Sequence, residues 1–286
     1  MWFFVSDLHG RVDRYRKLFD AAMRECPGAI LLGGDLLPSG LLAAHDADNS
    51  AYADFVTGFL ADGFRALRDH LGDRYPKVFL ILGNDDPRVE ESSIVEMAMT
   101  GLWHYLHDAR STCDGVPVYG YACVPPTPFM LKDWERYDVS RYVDPGCTSP
   151  EEGWRSVPVA ANEVKYATMK DDLERLADHQ PLEESVWLFH SPPHGTALDR
   201  AALDGVTVDY APVDVHVGSI AIKRFIEARQ PRATLHGHVH ESARLTGRWS
   251  EPIGRTLAFS AAHDGPELAL VRFDPRDPAS ATRELL

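Results

Sequence analysis

Short apolar runs alternate with stretches of helical periodicity along most of the chain. Mainly apolar runs bounded by turn-forming residues are typical of buried strands. They predict strands at residues 1–6, 29–32, 77–82, 185–189, 233–235, 256–259 and 268–273. Apolar residues that recur every three or four positions predict helices at residues 12–23, 55–71, 87–98, 162–177 and 220–226, the last capped by Ser219. This alternation predicts a layered α/β fold.

The regular pattern fails between residues 122 and 160, where prolines and aromatic residues accumulate. We expect one domain over residues 1–286, with this segment as an irregular insertion. A long connection without regular structure is usually functional, but aromatic residues can also pack such a segment against itself. Two interpretations are therefore open: a self-packed surface loop, or a segment that shapes a pocket or a subunit contact. Under the second, Phe129 and Trp134 restrict access to a site rather than support the core.

The composition is that of an ordinary globular protein and excludes several function classes. The 286 residues are 44% hydrophobic, with 29 basic and 43 acidic side chains, a formal charge of −14. This acidity argues against nucleic acid as a partner, because nonspecific binding to phosphates depends on Lys and Arg. No apolar run approaches the roughly 20 residues that span a bilayer, and no signal peptide is recognisable, so we expect a cytoplasmic protein without a membrane segment. The four cysteines are too scattered for a thiolate zinc site.

Polar residues follow five of the predicted strands, at the point where each strand ends. These residues are Asp7, His9, Asp35, Asn84, His190, His238 and His240. The carboxyl ends of strands in α/β sheets are where ligands bind, because the connecting loops converge there. Clustered carboxylates repel each other unless cations hold them together. The convergence therefore predicts a metal site built from imidazole, carboxylate and amide groups.

The order of these residues resembles the calcineurin-like metallophosphoesterase superfamily. The similarity lies in five short motifs, Asp7-Leu8-His9, Gly34-Asp35, Gly83-Asn84, His190 and Gly237-His238-Val239-His240. The runs over residues 190–196 and 236–242 are also similar to a little-characterised bacterial and archaeal branch. The resemblance implies a four-layer α-β-β-α sandwich, in which two mixed sheets are flanked by helices. It also implies hydrolysis of phosphoester bonds.

The resemblance further implies two divalent metal ions. It assigns one ion to Asp7, His9, Asp35 and His240, and the other to Asp35, Asn84, His190 and His238, so that Asp35 bridges both. Mixed imidazole and oxygen ligands suit Mn, Fe, Zn or Ni without selecting among them. Two such ions can share a water molecule, lower its pKa and stabilise the attacking and leaving oxygens of an in-line displacement.

These observations predict a dinuclear metal-dependent hydrolase of a small phosphomonoester or phosphodiester, acting through a metal-bridging hydroxide. An alternative from another class is a metal-binding interaction scaffold with weakened catalysis. A nuclease is a further alternative, which the charge of −14 disfavours. The expected partner is a small phosphorylated substrate. The oligomeric state is open, and a homodimer is one option.

One position departs from the superfamily pattern. Many members have a histidine after the Gly-Asn pair, thought to protonate the leaving group or hold phosphate, where this chain has Asp85. His194, fixed by the Pro192-Pro193 turn, is a candidate for catalysis or substrate contact, with Asp85 either orienting it or acting as an unfavourable charge beside phosphate. His216 precedes a predicted helix N-terminus, where backbone N–H groups can bind phosphate. Asn84 is a further candidate for substrate contact.

Overall fold

The computed structural model describes residues 1–38 and 54–286. Its strands are β1 (Trp2–Val5), β2 (Ala29–Gly33), β3 (Lys77–Ile81), β4 (His104–Tyr105), β5 (Ala109–Cys113), β6 (Val116–Tyr121), β7 (Val186–Phe189), β8 (Thr207–Val208), β9 (Ala211–Pro212), β10 (Ala233–His236), β11 (Ser250–Ile253), β12 (Thr256–Ser260), β13 (Ala269–Asp274) and β14 (Asp277–Leu285). Its α-helices are α1 (Val12–Glu25), α2 (Ala61–Leu71), α3 (Glu91–Met99), α4 (Ala161–Tyr166), α5 (Met169–Ala177), α6 (Ile220–Arg229) and α7 (Ser242–Thr246). A π-helical turn at Phe55–Leu60 precedes α2, and 3-10 turns lie at Gly72–Arg74 and Arg88–Glu90.

Two six-stranded mixed sheets form the framework. The first has the order β14-β13-β1-β2-β3-β4, with β1 to β4 parallel and β13 and β14 antiparallel. The second has the order β11-β12-β10-β7-β6-β5, with a parallel centre and antiparallel outer strands. Parallel neighbours bring their carboxyl ends to one edge of each sheet. The candidate site lies at these edges.

Side-chain alternation along the strands explains how the layers pack. On β7, Val186 and Leu188 belong to a core shared by the two sheets, whereas Trp187 and Phe189 belong to a second core that includes α5 and α6. Successive strand residues point to opposite faces, so β7 packs against the first sheet on one face and against helices on the other. Helices α1 and α2 bury their apolar stripes in the shared core. The predicted arrangement of two mixed sheets flanked by helices is confirmed.

The seven predicted strands are present, each within one residue of its expected bounds. Helix boundaries differ more. The helix predicted from residue 87 begins as a 3-10 turn and becomes α3 only at Glu91, because Pro87 has extended backbone. The helix predicted over residues 162–177 is two helices, since Thr168 is extended and its side chain accepts a hydrogen bond from the N–H of Asp171. Ser219 caps α6 as predicted.

The hydrophobic pattern does not predict the four edge strands β4, β5, β11 and β14. An edge strand faces solvent along one side and is often polar or short, so no apolar run marks it. Strand β14, for example, alternates between exposed and half-buried residues over its whole length. Across residues 1–38 and 54–286, no helix has both the length and the apolar character that crossing a membrane requires.

The segment over residues 122–160 contains no helix or extended strand. Isolated backbone bridges join Val124 to Glu135 and Leu131 to Trp154. Near its centre, the Lys132 ammonium lies 2.6 Å from the Glu135 carboxylate, and both side chains are fully buried. Breaking a buried ion pair leaves an uncompensated charge and is strongly destabilising. Within the insertion, isolated backbone bridges and a buried ion pair therefore take the place of helices and extended strands.

Trp134 contradicts the expectation that the insertion restricts access rather than supports the core. Its side chain is 1% exposed and belongs to the core shared by the two sheets. Its indole N–H donates to the backbone oxygen of Asp86 at 2.8 Å. Periodicity gives no indication of burial in an irregular segment, which is why the expectation is wrong for this residue. Phe129, in contrast, is 56% exposed.

We expect Trp134→Ala to lower the free energy of unfolding by about 3–5 kcal/mol, the usual cost of truncating a buried aromatic side chain. Phe129→Ala is the matched control and should change this free energy by no more than about 0.5 kcal/mol. Urea unfolding followed by circular dichroism measures both. Similar losses in the two variants would contradict the assignment of Trp134 to the core.

Candidate metal centre

Loops from both sheets bring seven polar side chains to one edge of the sandwich. In the first sheet, Asp7 and His9 follow β1, Asp35 follows β2 and Asn84 follows β3. In the second, His190 follows β7, and His238 and His240 follow β10. A contact across the sheets holds the edges together, because the backbone N–H of His238 donates to the Asp7 carboxylate at 2.9 Å.

Four of these residues have a left-handed backbone. The φ angles are 56° for Asp7, 48° for His9, 51° for Asp35 and 73° for His238. Such a conformation costs of the order of 1–3 kcal/mol for a residue other than glycine, and it clusters at functional sites. Backbone hydrogen bonds compensate, since the N–H groups of Asp7 and His9 donate to the oxygens of Gly34 and Asp35 at 3.0 and 2.8 Å. The loops are thus held in shapes that point their side chains inward.

The first group of potential ligands consists of Asp7, His9, Asp35 and His240, with one donor atom of each within 4.8 Å of the others. The Nε2 atoms of His9 and His240 are 3.1 Å apart. His240 Nε2 lies 3.2 Å from Asp7 Oδ1, and His9 Nε2 lies 4.0 Å from Asp35 Oδ2. Two imidazoles and two carboxylates therefore face a common point.

The second group consists of Asp35, His190 and His238, which also meet within 4.8 Å. His190 Nε2 lies 3.2 Å from Asp35 Oδ2 and 3.1 Å from the side-chain oxygen of Asn84, so Asn84 joins this group. The His190 and His238 rings are 5.2 Å apart. Asp35 belongs to both groups, and its carboxylate lies between them.

The donor atoms fit divalent cations. Among the described residues, Asp7 Oδ2 and His9 Nδ1 are buried without a hydrogen-bond partner, and buried polar groups normally have one. The Nε2 atoms of His9 and His240 also face each other at 3.1 Å, an arrangement that a cation between lone pairs would explain. The mixture of imidazole, carboxylate and amide donors suits first-row transition metals without selecting one.

The charges of the cluster are strongly coupled. Burial raises the pKa of Asp35, but the charge and hydrogen bond of His190 outweigh burial and hold this pKa at about 2. Burial lowers the pKa values of His190 and His240, yet the carboxylates of Asp35 and Asp7 outweigh it and raise them to about 10 and about 9. Burial, reinforced by His190, lowers the pKa of His238 to about 3. The buried carboxylates therefore stay ionised and require positive charge beside them.

Two supporting features fix the ligands in place. The other ring nitrogen of His190, Nδ1, pairs with the backbone oxygen of Gly33 at 2.7 Å, which turns Nε2 towards Asp35. Gly83 leaves the space that Asp35 and His190 occupy, because a Cβ there would overlap both side chains. Any larger residue at position 83 would displace the cluster.

Asp86 is a supporting residue that the sequence analysis missed. It is fully buried, and its carboxylate accepts hydrogen bonds from the backbone N–H groups of Leu36, Leu37 and Gly83. Burial, together with the charge of Asp35, raises its pKa to about 8. The residue ties the loop after β2 to the loop after β3. Its position directly after Asp85, in a run of polar residues following a strand, was the one available signal.

Asp85 lies at the rim of the cluster. Its backbone N–H donates to Asp35 Oδ1 at 2.8 Å, and its side-chain Oδ1 accepts from Asn84 at 3.1 Å. Its Oδ2 lies 3.6 Å from His9 Nδ1, and its side chain is 36% exposed. Burial and the charge of Asp35 raise its pKa to about 7. Asp85 thus adjoins both groups while keeping one side open to solvent.

His194 and His216 lie outside the two groups. They line a cavity of about 270 Å³ between the insertion and residues 203–220, which we call the side cavity. His194 pairs with Asp214 at 3.2 Å, whereas His216 pairs with Asp199 at 2.8 Å. Asp85 contacts Asn84 and His9 instead. Of the two interpretations of Asp85, the one in which it orients His194 is therefore wrong.

The start of α6, a candidate phosphate site, is an ordinary capped helix end. The side chain of Asp138, from the insertion, accepts hydrogen bonds there from the backbone N–H groups of Ile220 and Ala221 at 2.7 and 3.0 Å. Ser219 accepts from the next N–H group, that of Ile222. Protein oxygens already accept hydrogen bonds from these backbone N–H groups. The groups are therefore not free to bind a phosphate beside His216.

Comparisons with known proteins agree with the family resemblance and with the fold. The sequence profile of the calcineurin-like phosphoesterase family matches residues 3–242. The comparison with curated proteins yields no match. The crystal structure of TT1561 of Thermus thermophilus has a TM-score of 0.54 at 15% identity, covering 99% of this chain and 97% of its own. A dimetal phosphatase from Danio rerio has a TM-score of 0.51 at 12% identity, covering 94% of this chain and 91% of its own. At these identities, the two structures show similarity of fold.

We expect the protein, after reconstitution with Mn²⁺ and removal of free metal, to retain two ions per chain. Asp35→Asn should weaken retention of both ions, because Asp35 belongs to both ligand groups. His9→Ala should weaken one, and His194→Ala, the control, should keep two. Elemental analysis of each variant gives the stoichiometry. A chain that retains only trace metal, or an Asp35→Asn variant that retains two ions, would contradict the shared-ligand arrangement.

Proposed function

The chain belongs to the calcineurin-like phosphoesterase family, and from this premise we propose that it is a two-metal hydrolase of a small phosphomonoester or phosphodiester. The family acts on phosphorylated substrates, and the cluster of His and Asp residues has the composition of a metal centre. The observation that carries the proposal is the carboxylate of Asp35, which belongs to both ligand groups. A shared carboxylate sets the short separation that two cooperating ions require.

In this proposal the residues form two ligand groups and a set of supporting contacts. One ion would be held by Asp7, His9, Asp35 and His240, and the other by Asp35, Asn84, His190 and His238. Divalent ions there would supply Lewis acidity towards a phosphoryl oxygen and would activate water. Gly33 orients His190. The Asn84 amide group bridges His190 and Asp85, so these three residues form one hydrogen-bonded network.

Asp85 is our candidate for the proton donor to the leaving group. Its carboxyl adjoins the ligand groups without belonging to either, and it is partly open to solvent, where an ester oxygen can reach it. Its backbone bond to Asp35 fixes its place whatever its protonation state. A positioned acid of this kind contributes most to esters whose alcohols leave poorly.

The charge of the molecule favours a small substrate over a nucleic acid. A formal charge of −14 repels an extended phosphate backbone, while a centre holding two dications attracts a single phosphate group. A metal-binding scaffold without catalysis is the competing function. It predicts metal retention without turnover, which the following experiment separates from hydrolysis.

We expect hydrolysis of 4-nitrophenyl phosphate or bis(4-nitrophenyl) phosphate in the presence of Mn²⁺, measured by release of 4-nitrophenolate. Removal of metal with a chelator should abolish activity, and added Mn²⁺ should restore it. Asp35→Asn should lower kcat/KM by at least about 10²-fold, the scale of losing a main electrostatic group. Full activity after metal removal would contradict the proposal, and two retained ions without hydrolysis of either ester would favour the scaffold.

We expect Asp85→Asn to slow hydrolysis of an alkyl phosphoester by about 10²–10⁴-fold, because a poor leaving group needs a proton. The same variant should leave 4-nitrophenyl esters nearly unchanged, since 4-nitrophenolate leaves without one. Asp85→His should recover part of the loss, because imidazole is also a proton donor. Equal rates for wild type and Asp85→Asn on the alkyl ester would remove Asp85 from the mechanism.

A further inference from the structure

The lining residues of the side cavity have the composition of a small-molecule binding site. One wall comes from residues 125–128 and 138–147 of the insertion, and the other from His194 and residues 203–220. Pro125, Val208, Val213 and Val217 supply apolar surface in both walls. Concave sites with apolar walls and a few polar groups are typical of small-molecule binding.

The side cavity lies at the same edge of the second sheet as the metal centre. Strands β6 and β7 are parallel neighbours with Tyr121 opposite Phe189, so their following loops leave the same edge of the sheet. The ligand candidate His190 comes directly after β7, and the cavity residue His194 is four positions later. Four extended residues span at most about 14 Å. The backbone of the cavity residue His194 therefore lies within about 14 Å of that of the ligand candidate His190.

Hydrogen bonds between the two walls hold the side cavity open. Asp138, in the insertion, accepts from the Ser219 hydroxyl at 2.6 Å in addition to the two backbone N–H groups of α6. The backbone of Pro192 and His194 pairs with Ser219 on the other side, at 2.8 and 3.0 Å. Because these contacts fix both walls, the cavity does not depend on a ligand to form it.

The charges of the side cavity select against a second phosphate. Asp144 and Asp214 lie in its lining, while no Lys or Arg is among the described residues that form it. The imidazoles of His194 and His216 are already paired with carboxylates. Carboxylates repel an anionic group brought beside them. The surface thus suits a group that is apolar and uncharged.

We infer that the side cavity binds the uncharged, apolar organic group of the phosphoester substrate, such as an aryl or branched alkyl ester. The inference rests on the proposed function, since it assumes that phosphate binds at the metal centre. It makes Val213 and its neighbours determinants of substrate choice. Burying one phenyl group should raise kcat/KM by about 10-fold or more over a methyl group.

The kinetic test uses phenyl 4-nitrophenyl phosphate and methyl 4-nitrophenyl phosphate, which share one leaving group. Wild type should prefer the phenyl ester by about 10-fold in kcat/KM, and Val213→Trp, which fills the cavity, should remove that preference. If Val213→Trp lowers kcat/KM equally for both esters, the 4-nitrophenyl group that they share occupies the cavity. This result supports the same assignment. Val95→Trp is the matched control, because Val95 is half-exposed on α3 and lines a different surface. Equal kcat/KM for the two esters, with no effect of Val213→Trp, would overturn the inference.

A binding measurement separates this inference from the proposed function. We expect the reconstituted protein to bind 1-naphthol, an uncharged aromatic alcohol, in a fluorescence titration, and to bind it at least 10-fold more weakly as Val213→Trp. If Val213→Trp does not fold, Val208→Trp on the short hairpin β8–β9 replaces it. Binding that Val213→Trp weakens, without hydrolysis of any ester, would leave the cavity assignment standing and remove the proposed function. Hydrolysis of the esters, without naphthol binding and without a preference between the two esters, would support the proposed function and overturn the cavity assignment.

Discussion

The structure depends on holding two buried carboxylates at the meeting edges of two separate sheets. Asp7 and Asp35 come from the first sheet, and the imidazoles that oppose their charge come from both sheets. Burial alone would protonate these carboxylates or drive them apart. The charges of His190 and His240 prevent this. Two contacts between the sheets hold these groups in place, because His238 N–H donates to Asp7 and His190 Nδ1 pairs with Gly33. Strand register, the left-handed loop residues and the glycine at position 83 all serve to place these few atoms.

Much of this arrangement was predictable from the sequence, because buried parallel strands and the polar residues after them form patterns within short stretches of the chain. An apolar run marks most of the inner strands, and an Asp, Asn or His follows within three residues of the ends of β1, β2, β3, β7 and β10. The β5–β6 hairpin was missed although Asp114-Gly115 at its turn is a typical hairpin signal. The flanking residues are too polar on β5 to form an apolar run.

Other features could not be predicted because their causes are distant in the sequence. Lys132 and Glu135 would be solvent-exposed in most contexts, and only the fold around them makes their pair fully buried. Asp138 caps a helix that begins more than eighty residues later. His194 resembles a catalytic residue by its local motif, yet its partner Asp214 is set by the return of the chain along the side cavity. In each case the deciding neighbour comes from the tertiary fold.

The contact between His238 and Asp7 spans 231 positions of the chain, and this span has a consequence for biosynthesis. Strand β1, made first, pairs on one side with β13, which is among the last strands to be synthesised. Loops of such length close slowly, and nonlocal pairings form late in folding. A nascent chain released before β10 therefore carries Asp7, His9, Asp35 and His190 without His238 and His240. The metal centre therefore needs residues from both sheets, so metal acquisition requires a chain that extends at least through His240 and not a shorter N-terminal fragment.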